Sequence, residues 1–238
     1  MLLVLSYFHA VCGDVKNIYI FFLLLAVPEP VAFYPLNAHY KAADKENRQP
    51  KGILRNVAVT NGPYNEQHGA YMFSGTADSY IEFPNKGGLD TQFSITLMCW
   101  VQPGGEGGPL FNYGLLHGFS ITIGHNGKFI SRVVKHKYFQ QLPSQIVETP
   151  EVLPVGKWVH VAASYDHNTG NNSLYVNGQL RASQNISTGY EIATFPQKVR
   201  MGTIGGSYGN FKGKIAEIKV FNVALNEAQI QTSIRQGS

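Results

Sequence analysis

The dipeptide Asn177-Gly178 restricts the fold more than any other feature of this sequence, because short runs rich in strand-forming residues lie on both sides of it. A two-residue Asn-Gly link favours a type I′ turn, since both central residues of that turn have positive φ, and the turn joins adjacent antiparallel strands. Asn126-Gly127 occupies the same kind of position between two further apolar runs. The sequence therefore predicts at least two β-hairpins.

Short segments with strand character fill most of the remaining chain. Several of them alternate apolar and polar side chains with period two, and turn residues bound them. The predicted strands cover residues 31–36, 70–73, 80–83, 93–101, 119–123, 129–134, 158–166, 173–176, 179–183, 199–202 and 214–221. Many short strands without a linker or repeat between residues 31 and 238 predict an all-β fold in one domain.

Two of these segments indicate which side chains face a core. In residues 93–101 the alternation puts five apolar side chains on one face: Phe93, Ile95, Leu97, Cys99 and Val101. In residues 214–221 it separates two sets, with Ile215, Glu217, Lys219 and Phe221 on one face and Ala216, Ile218 and Val220 on the other. Both segments are therefore predicted to lie half-buried in a sheet.

One short helix is predicted at the C-terminal end. Asn226 can act as its N-cap, and Gln229 follows three residues later, as in a capping box. Ile230 and Ile234 are four residues apart, which puts both on one helical face. Gly237 is a suitable residue to end the helix.

The charge of the chain is low. Charged residues make up only 14% of the sequence, and disordered chains and coiled coils contain many more. Apolar residues make up 44%, which is enough to build a core. A net charge of +4 over 238 residues is compatible with an acidic glycan or surface as a partner, and we predict no nucleic-acid partner.

The first 27 residues differ from the rest. They contain two apolar runs, 1–12 and 18–27, each shorter than the roughly 20 residues of a membrane-spanning helix. Residues 1–27 are predicted to be a secretory signal peptide, with a signal anchor or a wrongly assigned start as alternatives. The mature domain would then be 28–238, secreted and without membrane contact beyond this segment. Cys12 would be removed, leaving Cys99 unpaired and no disulfide.

Two sets of polar residues are candidate sites. The first is a basic cluster of Lys128, Arg132, Lys135 and Lys137, which can attract an anionic glycan by charge alone. The alternative is a solvated sheet edge whose lysines oppose aggregation. The second set comprises Asn171 and Asn185, each of which begins an Asn-X-Ser triplet and is a predicted glycosylation site if the chain is secreted.

No pattern in the sequence indicates catalysis or a metal centre. A glycosidase needs two carboxyl groups within several ångströms of each other. Asp78 and Glu82 share a strand face, but at about 3.3 Å per residue they are about 13 Å apart. The histidines lack the spacing of a zinc site. We therefore predict no catalytic residue and no metal ligand.

Several segments together resemble a laminin G-like domain of the concanavalin A-like lectin/glucanase superfamily. The resemblance extends from about Val31 to Ile230, and its landmarks include VAFYPLN, AYMFSGTADSYIEFP, FSITLMCWVQP, VGKWVHVAASYDHNTGNNSLYVNGQL and FKGKIAEIKVFNVALNEAQI. It implies an antiparallel jelly-roll β-sandwich of two packed sheets with a short C-terminal helix. It also implies a protein of the kind found in extracellular modular proteins of animals.

The resemblance bears on calcium as well, because many members of the family hold Ca²⁺ near one sheet rim. The family's usual aspartate after the F-x-G element is Ala216 here, with Glu217 next, and Asp44 matches the other usual acidic position. A hard cation such as Ca²⁺ binds several oxygen ligands. Of the two usual acidic positions, only that of Asp44 has an acidic side chain here. The resemblance therefore leaves calcium binding open, with one acidic side chain of the pattern as its candidate ligand.

A fold does not fix a function, so three hypotheses remain. The leading one is a non-catalytic extracellular binding module for carbohydrate, glycosaminoglycan, or matrix or cell-surface protein. The second is a structural or adhesive extracellular-matrix protein that binds protein rather than sugar. The third is a glycosidase, which would require a pair of carboxyl groups that the sequence does not show.

Overall fold

Two antiparallel β-sheets and one helix make up the described part of the chain. The computed structural model describes residues 26–114, 118–134, 145–189, 191–194, 198–205 and 209–236. Of the predicted signal peptide, only Ala26 and Val27 lie within these residues.

Within the described residues, eight strands form the first sheet, sheet A. In spatial order they are β13 (Gln179–Asn185), β12 (Asn171–Val176), β11 (Val159–Tyr165), β6 (Ile95–Pro103), β15 (Lys212–Phe221), β4 (Ala70–Ser74) and β3 (Ala58–Thr60), with β1 (Ala32–Tyr34) paired to β15. The described strands of the second sheet, sheet B, are β10 (Gln145–Val152), β9 (Lys128–Val133), β8 (Phe119–Ile123), β7 (Gly108–Tyr113), β14 (Val199–Met201), β5 (Tyr80–Phe83) and β2 (Ile53–Arg55). The predicted antiparallel sandwich is confirmed.

The core lies between the two sheets and follows the predicted alternation in β6. Leu97, Cys99 and Val101 are fully buried there, together with large rings from sheet B such as Phe111. Phe93 is an exception, because it precedes the strand and 55% of its surface is exposed. The prediction that Phe93 shares the core face was therefore wrong.

The Asn177-Gly178 turn joins β12 to β13 with positive φ at both residues, 52° and 76°, as a type I′ turn requires. The second predicted hairpin, β8 to β9, is also present. Its turn differs, because Gly127 has positive φ but Asn126 does not. The hairpin was therefore confirmed, whereas the type I′ geometry holds only for the first turn.

Strand β15 carries the feature that positions the candidate site. Along one edge β15 pairs first with β4, through Lys212 to Ile215, and then with β1, through Ile218 to Val220. A β-bulge separates the two pairings, and the register with β6 shifts at the same point. Sheet A therefore has a break between β4 and β1, directly beside Glu217.

The bulge also overturns the predicted alternation of β15. An extra residue in a strand moves the following side chains to the other face. Ile215 packs in the main core with Ile218 and Val220, whereas Phe221 belongs to a second apolar cluster. The prediction that Ile215 and Phe221 share a face was wrong, because a bulge leaves no mark in the polarity pattern.

Helix α1 (Glu227–Arg235) packs on the outer face of sheet A. The predicted capping box is present, because Asn226 accepts from the Gln229 N–H and Gln229 accepts from the Asn226 N–H. Ile230 is buried against Met98 and Phe221, with Ile234 beside them. None of the described residues form a helix with the length and apolar character needed to cross a bilayer.

Candidate functional site

A groove opens on the outer face of sheet A at the break between β4 and β1. Its cavity has a volume of about 330 Å³, and its lining comprises Phe33, Pro35, Asn37, Tyr40, Lys45, Tyr64, Glu66, Gly69 and Glu217. This volume is at the lower end of the range of about 300–1,000 Å³ for small-molecule sites. We call this cavity the Glu217 groove.

Three separate parts of the chain form the walls of the Glu217 groove, and backbone hydrogen bonds hold them together. The segment after β1 contacts the β15 bulge through the Glu217 N–H, which donates to the Pro35 carbonyl oxygen at 3.1 Å. The same segment contacts the loop between β3 and β4 through the Ala38 N–H, which donates to the His68 carbonyl oxygen at 2.9 Å. Backbone hydrogen bonds therefore fix the walls of the groove relative to one another.

Left-handed backbone conformations are concentrated around the Glu217 groove. Leu36 and Lys41 in the first wall have φ of 57° and 55°, Asn65 and His68 in the second have 60° and 61°, and Glu217 has 52°. A bulky residue such as leucine is rarely found there, because its side chain crowds the following carbonyl oxygen. Strained backbone of this kind gathers at ligand sites, where the surrounding structure holds it in place.

The Glu217 carboxyl group is the most perturbed acid in the groove. Its pKa is raised to about 7, mainly because burial disfavours the charged form; the neighbouring Lys219 opposes the shift and Glu66 adds to it. Among the described residues, no donor forms a hydrogen bond with its carboxyl oxygens. A titratable group with a shifted pKa in a cleft is a candidate functional residue.

Aromatic rings form one wall and the adjoining surface of the groove. Tyr64 is 47% exposed, and its ring centroid lies 5.5 Å from that of Trp100 in an edge-on arrangement. Trp100 contacts His160 in turn, at 5.3 Å between ring centroids. Burial, followed by the charge of Glu217, raises the pKa of Tyr64, so its phenol stays protonated near neutral pH.

Two lysines approach Phe33 next to the groove. Lys219 is buried, and its Nζ donates to the Ser233 carbonyl oxygen at 2.7 Å while lying 5.0 Å from the centre of the Phe33 ring. The Nζ of Lys45 lies 5.3 Å from the same ring. Burial lowers the pKa of Lys219, against the charge of Glu217. The ammonium group of Lys45 in the groove and that of Lys219 beside it thus accompany the carboxyl groups of Glu66 and Glu217.

The predicted basic cluster lies elsewhere, on sheet B. Lys128 forms an ion pair with Glu148, with 2.8 Å between Nζ and Oε1. Arg132 is half-buried on the same strand and alternates with core residues, so it faces outward from sheet B. Lys135 and Lys137 lie outside the described residues. The structure therefore places Lys128 and Arg132 on the face of the sandwich opposite to the Glu217 groove.

The two predicted glycosylation sites are direct neighbours. Asn171 in β12 pairs in register with Asn185 in β13, and both are exposed. The Nδ2 of Asn185 donates to the Asn171 Oδ1 at 3.1 Å and to the Thr169 carbonyl oxygen at 2.7 Å. The sequence separation of the two triplets gave no indication of this pairing.

The calcium implied by the resemblance does not fit the residues at the two family positions. Asp44 is buried, and its carboxylate accepts backbone N–H groups from Phe33 at 2.7 Å and from Gln49 at 3.3 Å. Ala216 supplies no side-chain oxygen. No three His, Cys, Asp or Glu side chains among the described residues are arranged to hold a metal ion. Asp44 instead fixes the turn that follows β1.

No pattern in the sequence predicts the Glu217 groove. Glu217 looked like an ordinary surface residue of a strand, and Glu66 lies far from it in the sequence. Two signals were available: the turn-rich segment GPYNEQHG, which contains Tyr64 and Glu66, and the acidic residue inside the apolar strand KIAEIKVF. Neither signal reveals that the two segments meet.

A family model confirms the resemblance noted in the sequence. It is a laminin G model described as the concanavalin A-like lectin/glucanases superfamily, and it matches residues 74–231, about two thirds of the chain. The match includes Trp100 and Glu217, whereas Tyr40, Lys45 and Tyr64 precede it. No curated protein matches the chain significantly.

Two solved structures of similar fold are named as binding domains. The binding domain of Paraclostridial Mosquitocidal Protein 1 has a TM-score of 0.68 at 14% identity, over 87% of this chain and 52% of that chain. The botulinum neurotoxin serotype G binding domain has a TM-score of 0.68 at 13% identity, over 87% and 51%. This chain therefore spans about half the length of these two toxin domains.

A third structure has nearly the size of this chain. It is domain 4 of AbnA, an extracellular arabinanase from Geobacillus stearothermophilus, solved in complex with arabinotriose. Its TM-score is 0.64 at 18% identity, over 86% of this chain and 97% of that domain. At these identities the three likenesses show the fold alone.

Proposed function

Because the chain belongs to the laminin G group of the concanavalin A-like lectin/glucanases superfamily, we propose that it is a non-catalytic extracellular binding module that recognises carbohydrate. The observation that carries this proposal is the Glu217 groove. It combines an exposed aromatic ring, Tyr64, with the Glu217 carboxyl group on a strained and well-supported backbone.

The composition of the groove suits a sugar ring. Ligand pockets are lined mainly by apolar and aromatic groups, with a few polar groups that fix orientation. Tyr40 and Tyr64 can cover the C–H face of a pyranose, while Glu217 and Lys45 can hydrogen-bond its hydroxyl groups. A domain of this fold was solved with a bound oligosaccharide, arabinotriose, which supports the same class of ligand for this chain.

A glycan array probed with the full chain, secreted from cultured animal cells, tests the proposal. Tyr64→Ala should abolish the binding of the glycans that the wild type binds. Phe93→Ala is the matched control, because Phe93 is also an exposed aromatic residue, at 55%, and does not line the groove. Binding that survives Tyr64→Ala would locate the ligand elsewhere, and an array without any signal would favour the structural or adhesive, protein-binding alternative.

The absence of catalysis is also part of the proposal, although the groove contains two carboxyl groups. Glycosidases use such a pair, with the raised pKa on the general acid. In this groove, one oxygen of Glu66 accepts the Tyr64 N–H at 2.7 Å and holds its own loop. A reducing-sugar assay on the glycans that bind should give no product. Product formation that Glu217→Gln removes would contradict a pure binding role.

Secretion and glycosylation are proposals as well. Residues 1–27 would direct the chain to the secretory pathway, and either Asn171 or Asn185 would then carry a glycan. N-terminal sequencing of the chain recovered from culture medium should begin near residue 28. A chain that stays in the membrane fraction with its N-terminus intact would instead support the signal anchor.

The basic cluster is proposed as a second, weaker surface for anionic glycans. Arg132 faces outward from sheet B, and its side chain forms no ion pair or hydrogen bond with the described residues. The double variant Arg132→Ala/Lys135→Ala should lower the salt concentration at which the chain elutes from heparin. An unchanged elution would support the alternative that the cluster is a solvated sheet edge.

A further inference from the structure

The Glu217 carboxyl group lacks hydrogen-bond donors among the described residues, and a ligand in the groove could supply them. A carboxylate buried away from water is unfavourable unless hydrogen bonds or an opposite charge compensate it. Glu217 is half-buried in the groove wall, and no described residue donates to its carboxyl oxygens or forms an ion pair with it within 4 Å. The charge of the buried Lys219 favours ionised Glu217, but its Nζ donates to the carbonyl oxygen and the hydroxyl group of Ser233.

The backbone holds this carboxyl group in the groove at a further energetic cost. Glu217 lies in the bulge of β15 with φ of 52°, a conformation that is unfavourable for a residue with a Cβ atom. A regular strand at this point would send the side chain elsewhere. The bulge, the break between β4 and β1 and the hydrogen bond to Pro35 together fix the acid on the cavity wall.

The charges around Glu217 indicate which kind of ligand fits. The charged and titratable groups that face it come from every element around the groove: Tyr40, Lys45, Tyr64, Glu66 and Lys219. Two ammonium groups and two carboxylates balance when Glu217 is ionised. The groove therefore attracts neither an anion nor a cation strongly, and this favours an uncharged ligand with hydroxyl donors.

From this geometry we propose that Glu217 accepts hydrogen bonds from a vicinal diol of an uncharged sugar unit in the groove, so that binding weakens as the medium becomes acidic. The inference rests on the proposed glycan-binding function and deepens it. A diol can donate one hydrogen bond to each carboxyl oxygen, and hydrogen bonds to an ionised acceptor are about twice as strong as neutral ones. Protonation removes one acceptor site and the charge.

The sign of the pH effect follows from linkage. A ligand that donates to the ionised form stabilises that form, so ligand binding must release a proton wherever Glu217 is partly protonated. Since the pKa of the free group is about 7, affinity should be nearly constant above pH 8 and fall below pH 7. If only the ionised form binds, affinity drops about 30-fold between pH 8 and pH 5.5.

Ligand-observed NMR with methyl glycosides tests this inference on the full chain. The probes are methyl α-mannopyranoside and methyl β-galactopyranoside, with methyl glucuronide and glucosamine as charged counterparts, each titrated at pH 8 and pH 5.5. At least one uncharged probe should bind more tightly than both charged probes, and its affinity should fall on acidification. Glu217→Gln should bind the same probe with little pH dependence, because the amide does not titrate.

Glu66→Gln is the matched control, since it removes the other carboxylate of the same groove and keeps an acceptor for the Tyr64 N–H. Its affinity should still fall on acidification, with the fall shifted to lower pH because Glu66 contributes to the raised pKa of Glu217. A wild type with equal affinity at both pH values would overturn the inference while leaving the binding module intact. Preferred binding of a charged probe would overturn it as well. Failure of every probe and of the glycan array would refute the proposed function itself.

Discussion

Glu217→Gln should stabilise the protein at neutral and alkaline pH. The wild-type carboxyl group has a pKa of about 7 in the folded chain against 4.5 as the ordinary value, a difference of about 2.5 units. At about 1.36 kcal/mol per unit, ionisation of this group lowers the stability of the folded state by up to about 3 kcal/mol. Glutamine keeps the shape of the side chain and removes this effect.

The direction of the pH dependence follows from proton binding. The folded state holds the proton of Glu217 more tightly than the unfolded state, so stability contributed by this group is present below pH 4.5 and is lost as the pH rises to about 7. The difference in unfolding free energy between Glu217→Gln and wild type should therefore be small near pH 4.5. It should grow in favour of the variant up to about pH 7 and remain constant above.

Urea unfolding at several pH values between 4 and 8.5 measures this difference. Comparison with the variant is essential, because His160 acts in the opposite direction: burial lowers its pKa to about 3, so the unfolded state binds its proton first as the pH falls below 6.5. That contribution is common to both proteins and cancels. Glu46→Gln, at an exposed position, should follow the wild type. A difference that does not change with pH would refute the reasoning.

Three further predictions concern other parts of the fold. In a Cys12→Ser chain the Cys99 thiol should not react with a thiol reagent until the protein unfolds, because burial raises its pKa; reaction in the native state would contradict this. Asn226→Ala should lower the unfolding free energy by about 1 kcal/mol through loss of the capping box, and an unchanged urea midpoint would argue against that role. Mass spectrometry should find one glycan per secreted chain, since Asn171 and Asn185 are cross-strand neighbours; two glycans would show that both neighbours can be modified.

The sequence predicted those parts of the fold that depend on residues close together in the chain. The turn Asn177-Gly178 and the capping box at Asn226 are each encoded by residues within a few positions of one another. The half-buried strands could also be predicted, because apolar and polar residues alternate along them. In β8, for example, buried and half-buried residues alternate. Such features need no knowledge of distant parts of the chain.

Four strands, β2, β3, β7 and β10, were not predicted because apolar and polar residues do not alternate regularly along them. Strands β2 and β3 lie at sheet edges, are three residues long and are mostly exposed, so they have no buried face. Strand β7 has the opposite character, because all six of its residues are buried and it begins with Gly108-Pro109. In β10 a proline, Pro150, interrupts the pattern at an edge, which is where proline is tolerated.

The candidate site could not be predicted, because its parts meet only in the folded chain. Tyr64 and Glu66 come from the loop between β3 and β4, whereas Glu217 comes from a bulge far along the sequence. The bulge depends on the change of partner from β4 to β1, which is a property of the sheet rather than of β15. The basic cluster was easy to see in the sequence, yet Lys128 in it is already paired with Glu148.

The position of the groove explains how this sandwich can keep a stable core beside a strained site. The inner face of β15 is continuous through Ile215, Ile218 and Val220, which remain fully buried on both sides of the bulge. The left-handed residue of the bulge, Glu217, and the ammonium group of Lys219 therefore lie on the outer face, away from these core residues. Because Tyr64 is half-exposed and outside the core cluster, its replacement should alter binding far more than stability. A fold arranged in this way can change its ligand by changing the loops before residue 74, without disturbing the packing between the sheets.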